Sequence, residues 1–136
     1  ESAMWRCLAG MSLALLAGCS NLPPHDPAQA WVDIEAYGDN QLLATQVDGQ
    51  PWAAGEFFQV TPGSHTLGTN FQYWTDAGYG HEPLAQSCDF ALSYAGFRAD
   101  HEYQLVAGWG PSPEGAWLRL LNERGDQLAY DTCGDF

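Results

Sequence analysis

Two short segments combine histidine with carboxylates, side chains that can hold a metal ion or transfer protons. They are His81-Glu82 and Asp100-His101-Glu102. Metal ligands within one segment usually appear as paired histidines or cysteines at a short, regular spacing. Neither segment has that spacing, so we interpret both as surface loop residues. We expect no metal site and no cofactor.

The candidates for catalysis are a serine and a pair of carboxylates. Ser112 lies in the segment 110–114, which lacks the closing glycine of Gly-x-Ser-x-Gly and falls between two predicted strands instead of before a helix. Asp33 and Glu35 would lie about 7 Å apart on one strand face, which could serve glycoside hydrolysis. A strand with one solvent-facing side also places charged residues at every second position, without any catalytic role. The chain is therefore predicted not to be an enzyme and to have no catalytic residue.

Aromatic side chains offer a different chemistry, which is stacking on sugars. Trp74 precedes a loop, residues 75–83, that contains Tyr79 and His81. We take Trp74, Tyr79 and His81 as the candidate binding surface. The alternative is that the tryptophans only fill the core, as strand tryptophans usually do.

The elements that must position these residues are short strands. Residues 31–37 alternate apolar and acidic side chains, and Asp48-Gly49 is a strong hairpin signal. Turn residues recur every 8–12 positions, which indicates a β-sandwich or small barrel. We predict a single antiparallel β-sandwich of about eight strands, at 31–37, 41–47, 56–60, 65–74, 84–94, 102–109, 116–122 and 127–133.

The first 18 residues read as a leader. Arg6 precedes an uncharged apolar run, residues 7–17, which is too short for the ~20 residues of a membrane span. The run ends in Leu16-Ala17-Gly18-Cys19, which resembles the lipobox of bacterial lipoproteins. That resemblance implies a signal peptide, residues 1–18, removed before Cys19, which would carry diacylglycerol and palmitate. The alternative, an apolar helix in the core, lacks an N-cap and an apolar stripe. Residues 1–3 look like upstream residues.

A tether is predicted between the lipid and the domain. The resemblance implies sorting to the outer membrane, because Ser20 is not the aspartate that retains lipoproteins in the inner membrane. Residues 19–30 contain three prolines and are predicted to form an extended linker. The β-sandwich domain is then residues 31–136, lipid-anchored and facing the periplasm.

Four cysteines are present, and two remain for the domain. Cys7 would leave with the leader and Cys19 would carry lipid. An even pair in an exported protein predicts one disulfide, Cys88–Cys133. A zinc site is disfavoured, because neither cysteine has a second ligand at x₂ spacing.

The charge is strongly acidic, with a formal net charge of −13 and no lysine. A field of that sign repels phosphate backbones, so nucleic-acid binding is excluded. It favours a cationic partner, although it would also serve solubility alone.

One segment carries a family resemblance that concerns the fold. Val47-Asp-Gly-Gln-Pro51, followed by the segment 58–67 with Thr61-Pro-Gly-Ser-His65, resembles the PEGA domain, a small β-sandwich module of bacterial envelope proteins. The resemblance covers only residues 47–67. The usual Gly-x-Thr-Pro step is replaced by Trp52-Ala-Ala-Gly55.

The expected function is that of a non-enzymatic envelope lipoprotein that binds or scaffolds another component. One alternative is a lysozyme-inhibitor-like binder of a cationic protein, although Leu92-Ser-Tyr-Ala-Gly96 does not reproduce the Ser-Gly-x-x-Tyr signature of such inhibitors. The other is a module that binds peptidoglycan or another cell-wall glycan through the aromatic residues.

Overall fold

A computed structural model describes residues 23–76, 78–110 and 115–133. The predicted signal peptide (1–18), the lipidated Cys19, the start of the linker and Ser112 lie outside these residues. The described residues form nine strands and no helix. The strands are β1 (Ala30–Ala36), β2 (Gln41–Val47), β3 (Gln50–Pro51), β4 (Phe57–Val60), β5 (Gly63–Thr75), β6 (Leu84–Phe97), β7 (Glu102–Trp109), β8 (Ala116–Leu121) and β9 (Gln127–Cys133).

Two sheets pack face to face, which confirms the predicted β-sandwich. The five-stranded sheet has the order β4-β1-β7-β8-β9, and the four-stranded sheet has the order β3-β2-β5-β6. The pairing is antiparallel with one exception, since β1 and β7 run parallel. A parallel neighbour needs a long crossover, here β2 to β6, which local turn signals do not reveal.

The core lies between the sheets and is built by alternation along the strands. On β7, Leu105 is fully buried in the core, and Leu118 and Leu120 of β8 are equally buried beside it. Among the described residues, the core cluster and the side chains packed against it lie between positions 30 and 133. The largest fully buried side chains include Val32, Phe58, Leu67, Phe71, Leu92, Leu105, Leu118 and Leu120.

One seam between the sheets is closed by β6 and β9. The predicted disulfide joins Cys88 of β6 to Cys133 of β9 with an S–S distance of 2.06 Å and a Cα–Cα distance of 6.3 Å. Nearby, the carboxylate of Asp131 accepts a hydrogen bond from the backbone N–H of Ala91 at 3.1 Å. An edge strand with unpaired backbone groups promotes aggregation. Here the edge strand of one sheet, β6, lies against the edge strand of the other, β9, so each covers the other.

The end of the predicted linker contacts the sandwich. The His25 ring stacks on Trp31 with a centroid distance of 3.7 Å. The backbone N–H of Asp26 donates to the Gln59 side chain at 2.7 Å. Residues 25–29 therefore lie along the five-stranded sheet, and only the chain before His25 can serve as spacer.

Candidate functional site

The residues predicted as a binding surface lie at one end of the four-stranded sheet. Trp74 lies on the outer face of β5 and is 45% exposed. Tyr79, in the connection between β5 and β6, is fully exposed, and His81 is exposed as well. Because a fully exposed ring packs against nothing, the Tyr79 ring is not packed on Trp74. All three side chains are open to solvent.

The same outer face carries a network of amides and hydroxyls. The Asn70 amide donates to Ser87 Oγ at 3.1 Å and to Asp89 Oδ1 at 2.8 Å. Gln72 donates to Asn70 Oδ1 at 3.1 Å. Asp89 is the sole carboxylate residue in the four strands of this sheet. The surface is polar but nearly uncharged.

The outer face of the five-stranded sheet is aromatic. Trp117 of β8 lies directly opposite Gly108 of β7. A Cβ atom at position 108 would lie 2.9 Å from Cη2 of the Trp117 ring, and closer still to the neighbouring ring carbon. Glycine weakens a strand interior, but here it lets the indole lie against the sheet backbone. The ring is held by the fold.

Arg119 and Tyr37 contact this indole, and Tyr130 lies beside Arg119. The Arg119 guanidinium carbon lies 4.3 Å from the Trp117 ring centroid and 5.9 Å from that of Tyr130. Tyr37 meets Trp117 edge-on at 5.8 Å. Tyr37 is 57% exposed and Tyr130 is 43% exposed. We call Tyr37, Trp117, Arg119 and Tyr130 the Trp117 patch. Val106 lies beside Arg119 on the same outer face, and its side chain is buried.

An acidic depression lies on the same face, toward the other end of the strands. Its volume is about 410 Å³. The backbone N–H of Glu102 donates to Glu123 Oε2 at 3.1 Å, and His101 Nδ1 lies 3.2 Å from Oε1. The bond from the Glu102 backbone has the larger effect and the bond to His101 the smaller, and together they lower the pKa of Glu123 below its ordinary value of 4.5. The carboxylate therefore carries full charge at neutral pH. We call the group Asp33, Glu102, Tyr103, Gln104, Asn122 and Glu123 the acidic depression.

A third arrangement has the residue types of a catalytic triad. His65 Nδ1 lies 2.6 Å from Asp48 Oδ2, while Nε2 lies 2.7 Å from the carbonyl oxygen of Thr61 and 3.0 Å from its hydroxyl. An ionised carboxylate can only accept, so Nδ1 donates to Asp48, while Nε2 lies within hydrogen-bond distance of both oxygens of Thr61. The arrangement is a bridge between two turns.

The other polar candidates are engaged in pairs. Among the residues that the structure describes, no group of three or more metal-binding side chains converges. The Asp33 carboxylate accepts from the Trp31 indole at 2.7 Å, and Glu35 accepts from the amide of Gln104. His101 contacts Glu123, which is distant in sequence, and not a neighbour within its own segment.

The sequence interpretation did not find the Trp117 patch, because it placed the candidate binding surface at Trp74, Tyr79 and His81. A signal was nevertheless present. In Trp117-Leu118-Arg119-Leu120, the tryptophan alternates with leucine and shares the phase of arginine, so it belongs on the solvent face.

Comparison with models of known protein families, with curated proteins and with solved structures gives no match. Within the described ranges, there is no helix with the length and apolar character needed to cross a bilayer.

Proposed function

We propose that this chain is a lipoprotein of the bacterial cell envelope, anchored through acylated Cys19. Its β-sandwich would act by binding another envelope component, not by catalysis. The observation that carries the proposal is Leu16-Ala17-Gly18-Cys19 at the end of an uncharged apolar run, ahead of a domain with its own core. The absence of aspartate at position 20 favours the outer membrane, with the domain in the periplasm.

A cationic protein is the partner that the charge supports best. Residues 19–136 keep 16 acidic and 3 basic side chains, and none of the basic ones is lysine. The four carboxylates along the outer face of the five-stranded sheet concentrate this charge where aromatic side chains are also exposed. An acidic surface accelerates encounter with a basic protein and rejects anionic partners.

A salt series tests this function. Residues 20–136, which contain every core residue that the structure describes, would be immobilised and exposed to egg-white lysozyme, cytochrome c and an acidic control protein. We expect the two basic proteins to bind at low salt and to be released between about 0.05 and 0.5 M, since screening shortens the range of the field. Absence of binding to either basic protein at low salt would contradict a cationic partner.

A cell-wall glycan is the second candidate, and one observation favours it. The outer face of the four-stranded sheet combines exposed Trp74 with the amide and hydroxyl network of Asn70, Gln72 and Ser87. Such groups bind sugars by stacking and hydrogen bonding, with little dependence on salt. The test is sedimentation with purified peptidoglycan. Binding that survives 0.5 M salt and is lost in Trp74→Ala would favour the glycan over the protein.

A further inference from the structure

The Trp117 patch has the composition of a protein-binding hot spot. Tryptophan, tyrosine and arginine are the residues that carry most of the energy at the centre of protein interfaces, and all three types meet here. Tyr37 and Tyr130 leave much of their area open to solvent. Their rings have few rotatable bonds, so little entropy is lost when a partner covers them.

The geometry around Gly108 shows that the patch is preorganised. The indole of Trp117 occupies the space that a side chain at position 108 would need. Arg119 and Tyr37 hold it from two other directions, at 4.3 and 5.8 Å. Rigid groups cost less to order on binding than mobile ones. A partner would therefore meet an aromatic surface already in place.

The carboxylates around the Trp117 patch favour a positively charged partner. Glu35 on β1 is paired with Val106 on β7, and Val106 is paired with Arg119 on β8. Asp33 lies on the same face of β1, two residues closer to the acidic depression. Glu102 and Glu123 line the depression itself. Arg119 is the one arginine in the strands of this stretch, and it is engaged with two aromatic rings. His25 and His101 lie 2.9 and 3.2 Å from the carboxylates of Glu102 and Glu123, and Arg98 and Arg124 line an adjoining pocket with the same two glutamates. In the described part of the chain, Asp33 and Glu35 face no cation of this kind, so the negative charge of the face is concentrated beside them.

We infer that the outer face of the five-stranded sheet docks a basic protein, with Trp117 at the centre of the contact. A lysine or arginine side chain of that protein would enter the acidic depression, while its apolar and aromatic side chains cover Tyr37 and Tyr130. The inference rests on the proposed function and adds the surface that performs it. The four-stranded sheet, whose strands hold one carboxylate, does not offer the same combination.

Two matched pairs of charge variants test the surface. Asp33→Asn/Glu35→Gln removes two charges from the docking face. Asp89→Asn/Glu82→Gln removes two charges elsewhere and leaves the net charge equal. With lysozyme and cytochrome c as probes at low salt, we expect the first pair to weaken binding by about threefold to tenfold and the second by less than about twofold. Equal weakening would mean that only the overall field matters and would overturn the docking face, while the proposed function would stand.

A second comparison tests the aromatic centre and leaves Trp117, Gly108 and Arg119 in place. Tyr37→Ser/Tyr130→Ser alters two exposed side chains, and Trp74→Ser alters an exposed ring on the opposite face. We expect the tyrosine pair to weaken binding about tenfold or more, with an unchanged thermal midpoint, and Trp74→Ser to leave binding unchanged. Loss of binding in Trp74→Ser with retention in the tyrosine pair would assign the partner to the other sheet. If the unaltered domain binds neither basic probe, the proposed cationic partner fails first and the docking face with it.

Discussion

The ring of His65 ties the turn between β2 and β3 to the turn between β4 and β5 through Asp48, at an Nδ1–Oδ2 distance of 2.6 Å. Asp48 also accepts the backbone N–H of Thr66 at 2.8 Å and adopts a positive φ of 52°. Two tight turns are thus held by one side-chain pair. Asp48 and His65 are 17 positions apart in sequence, and the fold uses that separation to join the two turns.

Stability is expected to fall in acid as Asp48 is protonated. The backbone N–H of Thr66 and then the bond to His65 lower the pKa of Asp48 below its ordinary value of 3.8. A carboxylate with a lowered pKa stabilises the fold above its ordinary pKa, and the effect is lost as the pH falls through the folded value. Asp48→Asn keeps the shape and tolerates positive φ. We expect its thermal midpoint to lie below that of the unaltered protein at pH 7, with the gap closing below about pH 3.8. A gap that is constant with pH would contradict this.

The interlocking of Trp117 with Gly108 makes a sharp prediction. Gly108→Ala should lower the free energy of unfolding by about 1–3 kcal/mol, because the new methyl group overlaps the indole. In a Trp117→Ala background the same substitution should cost much less, since the space is empty. A double-mutant cycle by denaturant unfolding measures the coupling. Additive effects would show that the ring does not occupy that space.

The disulfide is expected to contribute substantially to stability. Cys88 and Cys133 are 45 residues apart in sequence, and closing a loop of that size contributes about 3–4 kcal/mol on the chain-entropy estimate. Cys133→Ser should lower the midpoint of unfolding accordingly. Mass spectrometry of non-reduced residues 20–136 should find one linked peptide pair. Two alkylatable thiols in protein from the periplasm would be incompatible with the bond.

The anchor can be tested by acyl labelling. Cys19→Ala removes the thiol that would receive lipid, so we expect loss of both palmitate incorporation and cleavage before residue 19. Cys7→Ala serves as the control, because that cysteine belongs to the predicted leader, and it should be labelled normally. Palmitate in the Cys19→Ala protein would exclude the lipobox assignment.

Local patterns predicted the strands well, because alternation and turn residues act over a few positions. The stretch Asp48-Gly49 turns with positive φ at both residues, as the hairpin signal requires. The pairing of Cys88 with Cys133 was also predictable, since no other cysteine follows position 19. The parallel pairing of β1 with β7 was not, because it joins residues about 70 positions apart.

The docking surface was harder to predict, since it depends on which face each strand presents. Trp31 and Trp117 both lie on the outer face of the five-stranded sheet, yet Trp31 is buried under His25 and Phe57. Composition alone cannot separate a covered ring from an open one. The exposure of Trp74 and Tyr79 was predictable, because the glycine-rich loop at residues 75–83 adjoins one and contains the other, and such loops lie at the surface.

The stacking of His25 on Trp31 has a consequence for how the domain would stand relative to the bilayer. Because this contact lies on the outer face of the five-stranded sheet, the tether leaves from the docking face itself. Six residue steps separate Cys19 from His25, and a fully extended chain of that length spans about 20 Å. A lipid on Cys19 would thus keep the Trp31 end of this face, with the acidic depression, within about 20 Å of the headgroups, and the Trp117 patch would lie at the far end of the strands. The anchored protein would meet partners that lie along the membrane surface more readily than partners deep in the periplasm, and an acidic face held there would gather basic proteins at the lipid boundary.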